Sequence, residues 1–189
     1  MCIVNYDPTR SDNLILDDLR NGMPGISPNF GASLVESAVV CLEDQQHSSG
    51  VIMRVDGNHH HNVTVRWENL TDPNQARRSY GDSEVATENG AYCIASLLIS
   101  GFTDYTVAER ARKGRGFDFW LGKKNEEPPS ILFQEKARLE VSGIRKGDER
   151  AISHRLRRKA NRINAHCSPL PVVVIVVEFG SPRSRIKTR

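Results

Sequence analysis

Two acidic residues stand inside apolar, strand-like segments in the second half of the sequence. Asp118 lies between two phenylalanines in GFDFWLG, and Glu140 lies between leucine and valine in ARLEVSG. If the segments pair as neighbouring antiparallel strands, the two carboxylates face each other and repel. A divalent cation removes this repulsion, because Mg²⁺ and Mn²⁺ prefer carboxylate oxygens as ligands. The two acids therefore predict a site for a hard divalent cation.

The alternation of side chains along a strand places Asp118 outside the core. Phe117 and Phe119 are expected to point into the core, while Asp118 projects into a cleft. A structural alternative remains, in which Asp118 forms an ion pair with Arg115 or Arg138 on the surface of the sheet. Exposed ion pairs are common but stabilise little, so a metal is the stronger reason for an acid at this position.

The elements that must position these acids follow from hydrophobic periodicity. From Ser83 onward the sequence predicts a helix, three strands, a second helix and a final strand. The first helix, SEVATENGAYCIASLLISGF, repeats apolar residues at helical spacing, and the second, ERAISHRLRRKANRI, carries arginines beside an apolar stripe. The last strand, LPVVVIVVEFG, is apolar on both faces, as expected of a strand that is covered on both sides.

The first 80 residues predict a different arrangement. A helix is expected from about Phe30 to His47, with Asn29 as its N-cap. The segments VIMRV and NVTVRW flank DGNHHH, and their alternation of polar and apolar residues predicts a half-buried hairpin. We therefore expect an N-terminal extension (1–80, helix plus β-hairpin) packed on a core (81–189) that ends in a basic tail.

The order of elements and the polar residues within them resemble the PD-(D/E)XK nuclease superfamily, in particular its Holliday-junction-resolvase-like branch. The matching stretches are ATENGAYCIASLLISGF with Glu88, KGRGFDFWLG with Asp118, ARLEVSG with Glu140, and the basic second helix. The resemblance covers about residues 83 to 180. It implies an α/β protein with a restriction-endonuclease-like αβββαβ core, whose mixed central sheet is flanked by helices. The N-terminal helix and β-hairpin would be an extension of that core.

The resemblance also implies an activity and a set of site residues. It implies a metal-dependent nuclease with Mg²⁺ or Mn²⁺ as cofactor and DNA as the expected nucleic acid. The implied metal ligands are Asp118, Glu140 and Glu88, although an acid at the start of a helix can also serve only the helix dipole. Lys159 joins these three as the fourth implied catalytic residue. The expected nucleic-acid contacts are Arg115, Arg138, Arg155, Arg158 and Arg162.

The sequence departs from the family pattern at the lysine that normally follows the strand glutamate by two residues. That position is Ser142, and Phe117 stands where the family has proline. Lys159 or Arg155 on the basic helix are the expected substitutes, and Lys136 is a less favoured one. If none reaches the cleft, the chain would be a catalytically inactive nuclease-fold subunit that binds nucleic acid or a protein partner in a bacterial defence or repair assembly.

Another motif register exists on the same predicted strand. Gln134, Glu135 and Lys136 match the QxK variant found in some branches of the superfamily. Six strand residues span about 20 Å, so the two registers cannot share one metal. Glu140 is preferred because it lies nearer the end of the strand and the basic helix.

Charge distribution and cysteine usage indicate which partners and which cellular compartment to expect. From Arg145 to the end there are 12 Lys or Arg against three acids, a net charge of +9. Because the whole chain has a net charge of +3, the first 144 residues have a net charge of −6. The basic third favours a polyanionic partner, with a homodimer or a protein partner as further expectations. The four cysteines form no CxxC pair, and no apolar run approaches the roughly 20 residues of a membrane span. We therefore expect a cytoplasmic protein that makes no membrane contact.

The run of His59, His60 and His61 gives a second metal hypothesis. Consecutive strand residues point to opposite faces, so the three rings cannot all bind one ion. We expect a solvated turn here, with zinc in a binding module unrelated to nucleases as the alternative.

Overall fold

Strands from both halves of the chain join in one sheet in the computed structural model, which describes residues 6–57, 60–124, 137–164 and 170–188. The described residues form eight strands in the order β1-β3-β2-β8-β7-β6-β5-β4, with both parallel and antiparallel pairs. The strands are β1 (Asn13–Ile15), β2 (Val51–Asp56), β3 (His60–Arg66), β4 (Tyr105–Arg110), β5 (Phe119–Lys123), β6 (Ala137–Ile144), β7 (Val172–Glu178) and β8 (Arg183–Thr188).

The described helices are α1 (Pro28–Glu43), α2 (Pro73–Ser79), α3 (Ser83–Phe102) and α4 (Glu149–Asn164), with a 3-10 helix over Leu16–Asn21. Helix α1 was expected to begin at an Asn29 cap, but Ser27 is the cap and its side chain accepts a hydrogen bond from the Phe30 N–H. Pro28 explains the shift, because proline is favoured in the first helical turn. Among the described residues, none of the helices combines the length and the apolar character needed to span a bilayer.

Strand β7 separates two cores, as its apolar sequence predicted. Val173, Ile175 and Val177 join the larger core with residues of α1 and α3, and Val174 and Val176 join a smaller core with residues of α4. The mixed sheet is therefore flanked by helices on both faces. The predicted order of helix, three strands, helix and strand from Ser83 onward is confirmed in the described residues.

The C-terminal segment corrects one expectation. Instead of a basic tail, Arg183–Thr188 forms β8, which lies between β7 and β2. Ser184 and Ile186 are buried while the basic residues alternate with them, so the segment has the two-residue period of a strand. β8 therefore connects the N-terminal strands to the later ones, and the division near residue 80 stays a prediction.

The start of α3 packs directly on β6. A Cβ atom at Gly143 would lie 2.3 Å from the Thr87 carbonyl oxygen, which leaves no room for any other residue. This close approach sets the first turns of α3, including Glu88, beside the strand that carries Glu140.

Glu178, at the end of β7, is fully buried and ties two loops to the sheet. Its Oε1 accepts hydrogen bonds from the N–H groups of Gly147 (3.1 Å) and Gly180 (2.7 Å), and its Oε2 accepts one from Ser181 (2.9 Å). The Gly147 bond fixes the loop that leads into α4, and the other two fix the turn between β7 and β8.

Replacement of Glu178 by Gln should lower the free energy of unfolding by about 2 kcal/mol, because an amide group would face a buried N–H donor. Urea denaturation measures this change. Glu109→Gln, at an exposed position on β4, is the matched control and should change stability by less than about 0.5 kcal/mol. Equal effects of the two substitutions would contradict this role for Glu178.

Candidate functional site

Asp118 lies where strands β5 and β6 part. The two strands pair antiparallel from Phe119 opposite Leu139, and the Asp118 N–H donates to the Leu139 carbonyl oxygen (2.9 Å). Beyond these paired residues, Asp118 Oδ2 accepts a hydrogen bond from the Val141 N–H (2.7 Å). Asp118 is therefore held against β6 on both sides of Glu140, by its backbone N–H at Leu139 and by its carboxylate at Val141.

The predicted alternation around Asp118 is right for one phenylalanine and wrong for the other. Phe119 is fully buried in the larger core. Phe117 is also buried, but its ring packs edge-on against Trp120 at 4.4 Å between centroids, on the opposite side of the strand. The alternation fails because β5 begins only at Phe119, so Phe117 belongs to the preceding bend.

Glu140 is a buried acid paired with a lysine from α4. Its side chain is on the α4 side of β6, since its partner Val174 belongs to the smaller core. The residue is 3% exposed, and Lys159 Nζ lies 2.5 Å from its Oε1. Burial and the negative charge of Asp118 raise the pKa of Glu140 to about 7, and Lys159 opposes this shift. The charges of Asp118 and Glu140 thus oppose each other.

Tyr92 on α3 connects two carboxylates that belong to different elements. Its hydroxyl contacts Glu88 Oε1 one turn earlier on the helix and lies 3.0 Å from Asp118 Oδ1. Burial, together with the charge of Asp118, raises the pKa of Tyr92 above its ordinary value, so the phenol keeps its proton. Sequence reasoning missed this residue, although the spacing of four between Glu88 and Tyr92 puts both on one helix face.

Two clefts adjoin at Glu88 on α3 and at Lys159 and Arg162 on α4. The larger cleft (about 720 Å³) lies between the start of α3, the end of β6 and α4, and the smaller cleft (about 430 Å³) lies beside residues 110–118. Both are lined by Glu88, Lys159 and Arg162, and the smaller one is also lined by Asp118 and Glu140. The further basic residues are Arg145, Lys146, Arg155 and Arg158 in the larger cleft and Arg110, Arg112 and Lys113 in the smaller.

Comparison of the chain with protein-family models, curated proteins and solved structures gives no match.

The arginines predicted to contact nucleic acid occupy three kinds of position. Arg158 and Arg162 are exposed on α4 and line the clefts, and Arg155 lines the larger cleft while donating to Ser142 Oγ at 3.1 Å. Arg115 is exposed but lines neither cleft. Arg138 is 5% exposed and donates to the Leu170 carbonyl oxygen at 2.7 Å, so it lies inside the protein rather than on a phosphate-binding surface.

The acids of the site suit an ion such as Mg²⁺, which takes only some of its ligands from the protein, better than an ion that needs protein ligands alone. No group of three or more His, Cys, Asp or Glu residues in the described parts of the chain is arranged to hold a metal. Mg²⁺, however, is commonly bound by one or two carboxylates, with water and substrate phosphate as its other ligands. Asp118 and Glu140 fit this pattern, because their mutual repulsion is what a cation between them would relieve.

Neighbouring histidines on β3 have separate partners. His60 Nδ1 lies 2.6 Å from Asp56 Oδ1, and His61 Nε2 lies 2.9 Å from the Tyr6 hydroxyl. These two rings therefore do not share one ion, and zinc is not favoured here. His59 and the alternative motif register at Gln134, Glu135 and Lys136 lie outside the described residues.

Proposed function

We propose that the chain is a metal-dependent nuclease that cleaves phosphodiester bonds in nucleic acid, with DNA as the expected substrate. The observation that carries the proposal is that Asp118, Glu140, Lys159 and Glu88 line one basic cleft, which shares Glu88 and Lys159 with a second basic cleft. The order of elements from α3 to β7 supports a restriction-endonuclease-like αβββαβ core as the scaffold. A cytoplasmic location belongs to the same proposal.

The acids supply the cation-binding part of the proposed site. Asp118 and Glu140 would hold Mg²⁺ or Mn²⁺, and Glu88 would assist directly or through a water molecule. Bound there, the cation would offset charge on the phosphate and lower the pKa of a water molecule. The backbone bond from Val141 keeps Asp118 directed toward this place.

Lys159 supplies the positive charge that the family pattern has at position 142, where this chain has serine. Its ammonium group lies against Glu140, and its side chain lines both clefts. Arg155, the other predicted substitute, bonds Ser142, two residues further along β6. We therefore assign Lys159 to the scissile phosphate, where it would offset the charge that develops during cleavage.

The clefts supply the binding surface for a polyanion. Basic side chains line both of them, with Glu88 at their junction and Asp118 and Glu140 in the smaller cleft. Phosphate contacts on both sides of the junction would hold one strand across the acids. Such contacts give affinity that falls as salt rises.

Double replacement of Arg158 and Arg162 by Ala should weaken DNA binding and lower the slope of log K against log salt by about 2, since each phosphate contact contributes about 0.9. Fluorescence anisotropy in EDTA measures this slope between 50 and 200 mM salt. In that range, about 6 to 10 phosphate contacts produce a large change in affinity.

The matched control replaces Arg77 and Arg78 of α2 by Ala. This replacement changes the net charge equally, but the two arginines line neither cleft. An equal loss of binding in both double variants would mean that overall charge, and not the clefts, holds the DNA.

Purified protein incubated with plasmid and single-stranded DNA tests the proposal. We expect cleavage that requires Mn²⁺ or Mg²⁺ and stops in EDTA. DNA binding without cleavage would instead support the catalytically inactive nuclease-fold subunit. Binding to a protein partner without any binding to DNA would contradict a role in nucleic-acid binding.

A further inference from the structure

We infer that Tyr92 is a positioning residue that holds Glu88 and Asp118 together for cation binding. The inference rests on the proposed function and assigns a role to a residue outside the predicted site. It depends on one hydroxyl group that contacts carboxylates from two different elements.

The ring of Tyr92 is fixed from two sides, so its hydroxyl has a fixed position. The residue is 3% exposed, and its ring packs edge-on against Phe119 at 5.0 Å between centroids. The Arg110 guanidinium carbon lies 5.7 Å from the ring centroid. Neither contact involves the hydroxyl, which leaves that group to the two acids.

One phenol proton serves two carboxylates. A phenol donates a single hydrogen bond, so while it bonds one acid, the other acid faces the lone pairs of its oxygen. The hydroxyl thus bonds one of the two carboxylates at a time, and both Glu88 and Asp118 keep their charge beside it. A cation bound beside them would remove the remaining repulsion, which makes the arrangement more favourable with metal than without it.

Glu88 depends on Tyr92 more than Asp118 does. Asp118 keeps its hydrogen bond from Val141 when the hydroxyl is removed. Glu88 is an exposed residue on the surface of α3, and its side chain can turn into solvent without the hydroxyl. Tyr92 therefore makes the helix acid a member of the site.

Tyr92→Phe keeps both ring contacts and removes only the hydroxyl. We expect the Kd for Mn²⁺, measured by electron paramagnetic resonance and by calorimetry, to rise about 10- to 100-fold, the usual cost of losing a partner of a metal ligand. The kcat at saturating Mn²⁺ should recover toward the value of the unmodified protein, because the ligands themselves remain. Tyr80→Phe is the matched control, since its hydroxyl donates to the Ser33 carbonyl oxygen (2.7 Å) and lines neither cleft.

A second variant keeps the test decisive if Tyr92→Phe is poorly folded. Glu88→Ala, at an exposed helix position, should also weaken Mn²⁺ binding, and adding Tyr92→Phe should then cost much less than it does alone. Unchanged Mn²⁺ affinity in either single variant would overturn the inference while the proposed function stood. A wild-type protein that neither binds Mn²⁺ nor cleaves DNA would end the proposed function itself.

Discussion

Asp118→Asn should reduce DNA cleavage by about 1,000-fold or more while making the metal-free protein more stable. The amide oxygen can still accept the hydrogen bond from Val141, so the fold around the site is kept. The lost charge removes one of the two principal cation ligands, and the loss of such electrostatic stabilisation typically costs two to three orders of magnitude or more.

The gain in stability has a separate physical cause. The charge of Asp118 contributes to the raised pKa of the buried Glu140, so the two acids destabilise the fold when no cation is bound. Removing one charge should stabilise the protein in EDTA by about 1 kcal/mol. Thermal unfolding measures this, and a saturating concentration of Mn²⁺ should reverse the order by stabilising only the unmodified protein.

Asp104→Asn is the control for both effects. Asp104 is an exposed acid that bonds Arg10 and lines neither cleft, so its replacement should leave cleavage unchanged and give no gain in stability. Cleavage that survived Asp118→Asn would remove Asp118 from the site.

Lys159→Met should lower cleavage about 100- to 1,000-fold without weakening Mn²⁺ binding. Lys159 is paired with the Glu140 carboxylate, which would also bind the cation, so its loss would remove a competitor for that carboxylate. Cleavage assays and Mn²⁺ titrations on the same preparation separate the two effects. A parallel loss of cleavage and Mn²⁺ affinity would mean that Lys159 only maintains the position of Glu140.

The same substitution has a pH dependence whose sign follows from Glu140. Its pKa in the folded protein, about 7, is above the ordinary value, so its ionised form costs stability as pH rises, and Lys159 reduces that cost. Lys159→Met should therefore destabilise the metal-free protein more at pH 8 than at pH 5. Lys159→Arg keeps the charge and should show a smaller pH effect.

The sequence was informative where periodicity was clear. The helix and strand order from Ser83 onward and the two-sided burial of β7 follow from apolar spacing, and both are confirmed in the described residues. β8 was missed because four Lys, Arg or Thr residues surround its two buried side chains, so composition hid the alternation. Pairing with β7 and β2 makes this segment a strand, although the residues that alternate with Ser184 and Ile186 are polar and half-buried.

The site was predictable only in part, because its details depend on contacts between distant elements. Arg138 alternates with Leu139 and therefore looked exposed, but it is buried and donates a hydrogen bond to the Leu170 carbonyl oxygen. Phe117 looked like a strand residue because nothing in the sequence marks the start of β5. Tyr92 lies among the apolar residues of α3, and only the fold shows that its hydroxyl reaches Asp118.

A crystal structure of the protein soaked with Mn²⁺, read by anomalous scattering, would show whether Asp118 and Glu140 bind the same cation. We expect one Mn²⁺ ion within about 2.5 Å of carboxylate oxygens of both Asp118 and Glu140, in the smaller cleft. An ion bound elsewhere, or an ion that contacts neither acid at a concentration that supports cleavage, would contradict this expectation.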